Sequence, residues 1–169
     1  MQRTMAKVLL SSLLGMFAAA SAIAAEGHID TADQNGPPKV IRWRTDLLTA
    51  YQEAVAENKP LAIVFLCPLE RDECIHCKRM RGSIFHESTQ EFADDAVFVV
   101  ALIRGDGASD DEAAATLYSR LQVKATPAIS IIEPKTTVIE ERARIAGYFP
   151  AHKLYTHLHR FLKEYAVAK

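Results

Sequence analysis

A chain of 169 residues, 49% hydrophobic and 24% charged, has the composition of one folded domain with a core of its own, which excludes a disordered polymer. A formal net charge of -1 gives no electrostatic drive toward nucleic acid, so no nucleic-acid partner is expected.

The first predicted element is a secretory signal peptide over residues 1–24. Arg3 and Lys7 form a basic n-region, Val8 to Ala20 an apolar stretch, and Ala22-Ile23-Ala24 a small-x-small cleavage sequence. The apolar stretch is broken by Ser11, Ser12 and Gly15 and is short for a membrane span. Cleavage near Ala24 and release into the periplasm are therefore expected. Removing Arg3 and Lys7 from the 20 basic residues leaves 18 against 21 acidic ones, a net charge of -3. Residues 25–42 are polar, contain Gly36-Pro37-Pro38, and read as a flexible leader. Residues 43–169 read as the folded domain.

Within that domain Thr45 or Asp46 caps a helix carrying Leu47, Leu48, Tyr51, Ala54 and Val55 at helical spacing, and Asn58-Lys59-Pro60 stops it. The unbroken apolar run Leu61 to Leu66 is the pattern of a strand buried on both faces. A loop over Cys67 to Glu73 leads to a helix from Cys74 to about Phe85, with Met80, Ile84 and Phe85 facing inward. Ser88 and Glu91 match a capping box for a short helix ending near Phe92. A strand follows over Ala96 to Ile103, then a Gly- and Asp-rich loop. Ser109 and Glu112 form a second capping box, opening a helix that buries Ala113, Leu117 and Leu121. The spacing then predicts a strand over Ala128–Ile132, a turn at Glu133 to Thr136, and a strand over Thr137–Ile145. Gly147 ends that strand. Pro150 opens a last helix with Leu154, Leu158, Phe161, Leu162 and Tyr165 on one face. The βαβ portion implies a parallel pair and the last two strands an antiparallel hairpin. The fold class is α/β, a central mixed sheet flanked by helices.

Three cysteines are present, Cys67, Cys74 and Cys77. A Cys-x-x-Cys bridge closes too short a loop to stabilise a fold much, so this pair is read as reactive. Thiol–disulfide exchange needs one exposed thiolate and a neighbouring thiol to resolve the mixed disulfide. At the start of a helix, free backbone N–H groups and the dipole favour the thiolate of the first cysteine, Cys74. Cys77, one turn in, is sheltered and resolves. A cationic or dipolar His76 beside Cys74 would favour the same thiolate.

These residues resemble the thioredoxin superfamily over about Trp43 to Tyr165. Leu61 to Leu66 followed by Cys74-Ile75-His76-Cys77-Lys78 is similar to the family's strand, active site and helix. Ala125-Thr126-Pro127-Ala128 resembles the segment that holds the family's cis-proline. Glu133-Pro134-Lys135 and Gly147 fall where the family turns between its last strands and enters its last helix. Cys77-Lys78-Arg79-Met80 with Phe85 and Phe92 looks most like exported members with an enlarged loop before the active site. The resemblance implies the thioredoxin fold and a cis Thr126–Pro127 bond beside Cys74. It also implies that Thr126 and Pro127 bind the substrate strand. His76, and Thr126 before the proline, resemble disulfide isomerases and oxidases more than thioredoxin. Two departures stand out. Val64 occupies the place of thioredoxin's buried acid, and Glu70, Asp72 or Glu73 in the longer loop are the candidates to replace it.

Cys67 is open to three readings: a buried small apolar residue, a third redox thiol, or a ligand, with Cys74, Cys77 and His76, of a soft metal such as Cu(I) or Zn. His152 and His159 read as solvated, and Trp43 and Tyr51 as packing residues. The leading reading is a periplasmic thiol–disulfide oxidoreductase with catalytic Cys74, Cys77 and His76, no cofactor and no resident metal. Its expected partners are cysteine-containing exported proteins and a membrane redox partner that recycles the site. The segment before the fold is too short for a dimerisation domain, so a monomer is expected. The alternative is a soft-metal-handling or redox-sensing module on the same fold.

Overall fold

A computed structural model describes residues 38–68, 74–135 and 139–167, with side chains to residue 163. The signal peptide, most of the leader, the acids Glu70, Asp72 and Glu73, the turn residue Thr136, the first residues of the last strand and the side chain of Tyr165 lie outside the described residues.

The elements are β1 (Trp43–Arg44), α1 (Leu47–Glu57), β2 (Leu61–Leu66), α2 (Ile75–Ile84) and α3 (Glu87–Gln90), the last continued by a 3-10 turn at Glu91–Asp94. Then come β3 (Val97–Leu102), α4 (Glu112–Arg120), β4 (Ala128–Pro134), β5 (Ile139–Ala146) and α5 (Ala151–Val167). The sheet order is β1-β3-β2-β4-β5. β2 runs parallel to β3, β3 parallel to β1, and β4 antiparallel to both β2 and β5. The parallel pair and the terminal hairpin stand as expected.

The unbroken apolar run in β2 has a direct cause. Ala62, Val64 and Leu66 face one core with α2 and α5, while Leu61, Ile63 and Phe65 face a second core with α1 and α4. All six are buried. On α5 the spacing i, i+4, i+8 brings Leu154, Leu158 and Leu162 onto the first core.

Helix ends follow local chemistry. Asp46 caps α1 by accepting the Thr49 N–H at 2.7 Å. Asn58 ends that helix at φ 51°, a left-handed position that Asn tolerates, with its N–H returned to Ala54 and Val55.

Several expectations need correction. The cap of α4 is Asp111, which accepts the Ala114 N–H, while Ser109 accepts the Asp111 N–H. The helix accordingly buries Ala114 and exposes Ala113. The cap of α3 is His86 and not Ser88. Phe85 is 53% exposed because α2 ends at Ile84, and its ring packs edge-on against Trp43. Leu48 points to solvent, and Ala50 takes the buried place on α1. β4 runs on through Pro134. β1 is too short to carry an alternation and was not expected. Just before it, Ile41 is buried and its N–H donates to the Gln90 side chain at 2.8 Å, so packed chain begins ahead of Trp43.

Candidate active site

The site forms where β2 ends and α2 begins. Cys74 is the N-cap of α2, and its sulfur accepts the Cys77 N–H at 3.2 Å. Cys74 is half-buried and Cys77 is 3% exposed. Their sulfurs are 2.7 Å apart, and both are free thiols. One cysteine thus meets solvent while the next, a turn further in, packs with Val64, Leu66 and Met80.

Electrostatics separate the two. Burial opposes ionisation of Cys74, but it is outweighed by hydrogen bonds from the Cys77 side chain and backbone, the Cys67 side chain and the His76 backbone, so its pKa falls below the usual thiol range. Burial, reinforced by the Cys74 sulfur, pushes the Cys77 thiol up to about 12.

The imidazole of His76 is exposed and makes no hydrogen bond or ion pair among the described residues. What reaches Cys74 from His76 is its backbone N–H. Thr126–Pro127 is cis, and the Cys74 sulfur lies 4.0 Å from the Thr126 carbonyl oxygen. Gly147, at φ 89°, donates its N–H to the Pro127 carbonyl at 2.9 Å and ties β5 to this segment. Val64 is 1% exposed and packs in the same core as Cys77.

Cys67 turns toward the site. Its sulfur lies 2.9 Å from the Thr126 hydroxyl, and its N–H donates to the Cys77 sulfur at 3.4 Å. Cys67, Cys74 and Cys77 form the one three-residue group suited to a metal among the described residues. His76 is not part of it. His152 and His159 are exposed on α5, the latter against the Tyr155 ring.

Arg81 is a site neighbour that the sequence reading missed. It donates to the Cys67 carbonyl at 2.9 Å from one turn beyond Cys77. The i+4 spacing from Cys77 is the signal that could have found it. Arg81 also lines a cavity of 580 Å³ with Trp43, Pro68, Phe85, Leu102 and Arg104. Beside the cysteines, Ile75 is 50% exposed.

The profile of the thioredoxin-like domain matches residues 47–162, well over half of the chain. Among solved structures, a thioredoxin from Thermus thermophilus is 20% identical, with TM-score 0.57 over 71% of this chain and 85% of its own. A protein described as DsbH oxidoreductase is 16% identical, with TM-score 0.58 over 79% of this chain and 94% of its own. Thioredoxin O2 from Arabidopsis thaliana in its oxidised state is 15% identical, with TM-score 0.50 over 74% and 96%. No curated protein matches by sequence.

Proposed function

We propose that this chain, which belongs to the thioredoxin-like domain family, is a periplasmic thiol–disulfide oxidoreductase acting on cysteines of exported proteins through Cys74 and Cys77. The observation that carries this is the asymmetric pair at the start of α2: a half-exposed Cys74 with a lowered pKa, 2.7 Å from a buried Cys77 with a raised one.

In the reducing direction the Cys74 thiolate attacks one sulfur of a substrate disulfide. A Cys74–substrate bond forms as the substrate S–S bond breaks, and the second substrate sulfur leaves as a thiolate. Cys77 then attacks the Cys74 sulfur. The Cys74–Cys77 bond forms, the substrate is released with both sulfurs reduced, and its departing thiolate takes up the proton that Cys77 gives up. The oxidising direction runs the same steps backwards. The Thr126 carbonyl lies 4.0 Å from the attacking sulfur, and Thr126 with the cis Pro127 would hold the substrate strand. The exposed Ile75 gives that strand an apolar edge. A membrane redox partner would restore the pair after each turnover. The protein would work as a monomer and needs no cofactor.

The test is a trap. Cys77→Ala leaves Cys74 able to attack and unable to be released, so mixed disulfides with exported proteins should accumulate in cells. A Cys74→Ala control should show none. Equal adduct patterns from the two variants would remove Cys74 as the nucleophile.

A further inference from the structure

The sulfurs of Cys67, Cys74 and Cys77 all lie within 4.8 Å of one another, and we propose that the reduced protein binds one Cu(I) ion through these three cysteines. The donor set selects the metal. Thiolates are soft ligands suited to Cu(I), Zn and iron–sulfur clusters. Structural zinc takes four ligands in a tetrahedron, and iron–sulfur clusters are held by four residues. Here no histidine or carboxylate among the described residues joins the three sulfurs. Cu(I) is satisfied by two or three.

The geometry is close to what three-coordination needs. Three sulfurs each ~2.3 Å from a common ion lie ~4 Å apart. Cys74 and Cys77, now at 2.7 Å, must open, and Cys74 can turn because it sits half-exposed at the N-cap of α2, ahead of the helix proper. Cys67 stays aimed at the site. The Thr126 hydroxyl is 2.9 Å from its sulfur, and Arg81 holds its carbonyl at 2.9 Å. Thiolate charge is met by backbone donors: the Cys67 N–H on the Cys77 sulfur and the Cys77 N–H on the Cys74 sulfur. Each thiol that enters as thiolate releases its proton to solvent. A Cys74–Cys77 disulfide removes two of the three ligands, so the metal-bound and oxidised forms exclude each other. The proposal does not rest on the exchange reaction.

The experiment is anaerobic titration of the reduced protein with Cu(I) supplied as its bathocuproine disulfonate complex, with X-ray absorption to count sulfurs. The expected result is one Cu(I) per chain, three sulfurs at ~2.3 Å, and no uptake by the oxidised protein. Cys67→Ser, with its fold checked by circular dichroism, should bind more weakly by over ~100-fold, since even residues that only orient a ligand cost ~10–100-fold. A count of two sulfurs would overturn the proposal. So would unchanged affinity in Cys67→Ser, failure to compete with the chelator, or zinc held in preference to Cu(I). Should Cys67→Ser fail to fold, the sulfur count on the unaltered protein decides. Disulfide exchange is assayed separately. Exchange without copper binding removes only this proposal, and copper binding without exchange removes only the oxidoreductase reading.

Discussion

Cys74 and Cys77 are three residues apart and have opposite acid–base character because one caps a helix and the other is buried in it. Alkylation of the reduced protein should therefore separate them. Cys74 should label with a midpoint below that of an ordinary thiol, while Cys77 resists until the pH nears about 12. Site-resolved mass spectrometry reads this directly, and earlier labelling of Cys77 would reverse the assigned roles. The stability of the reduced protein follows with a definite sign. The lowered Cys74 pKa contributes stability that is present above the unfolded value and lost as pH falls through the folded one. The raised Cys77 pKa contributes stability present below the unfolded value and lost as pH climbs toward about 12. His76 divides into two parts in the same way. His76→Ala keeps the backbone N–H and removes an exposed imidazole, so the potential of the couple should stay put. His76→Pro removes the N–H that favours the thiolate, so the couple should become more reducing by ~30 mV, or ~1.4 kcal/mol. Equilibration of both variants with glutathione is the measurement. A shift in the Ala variant as large as in the Pro variant would return the effect to the side chain.

Elements were legible where a pattern repeats and illegible where one contact decides. The apolar run of β2 and the i, i+4, i+8 leucines of α5 announce burial by periodicity alone, and both are buried as read. Cys-x-x-Cys after a buried strand places the start of α2, and with it the chemistry, in the same way. The inward turn of Cys67 depends on Thr126, 59 residues away, and Arg81, 14 residues away, which local spacing does not encode. The helix caps show the same limit. Ser109 and Glu112 match a capping box, yet Asp111 wins because its carboxylate serves two helices at once. One oxygen accepts the Ala114 N–H at 3.1 Å, and the other accepts the Leu47 N–H of α1 at 2.8 Å. Asp111→Ala leaves both donors without their acceptor and should destabilise the protein by about 2 kcal/mol in urea unfolding. Asp111→Asn can still accept one of the two bonds and should recover about half of that loss. A cost in Asp111→Ala no larger than that of Ser109→Ala would show that the capping box, not the shared carboxylate, holds these helix ends.

For the molecule as a whole, folding and redox chemistry are linked through one cycle. A Cys74–Cys77 bridge closes a loop so short that it removes little entropy from the unfolded chain, so it offers little of the stabilisation that longer cross-links give. The folded state, by contrast, favours ionisation of Cys74 through three backbone and side-chain neighbours that the unfolded chain lacks. Whatever favours that thiolate on folding favours the reduced form, and by the same amount raises the potential of the folded couple above that of an unfolded dithiol. At a pH above the folded Cys74 pKa, the reduced protein should therefore unfold at a higher urea concentration than the oxidised protein, with closely similar slopes. Each ~1.4 kcal/mol between the two curves should match ~30 mV between the folded couple and an unstructured Cys-x-x-Cys peptide. The gap should narrow as pH falls through the folded Cys74 pKa, because the thiolate that creates it is then protonated. Urea titrations of both forms at two pH values, beside a glutathione equilibrium, close the cycle with independent measurements. An oxidised form that is the more stable of the two would invert the sign. The folded couple would then be more reducing than the unstructured Cys-x-x-Cys peptide.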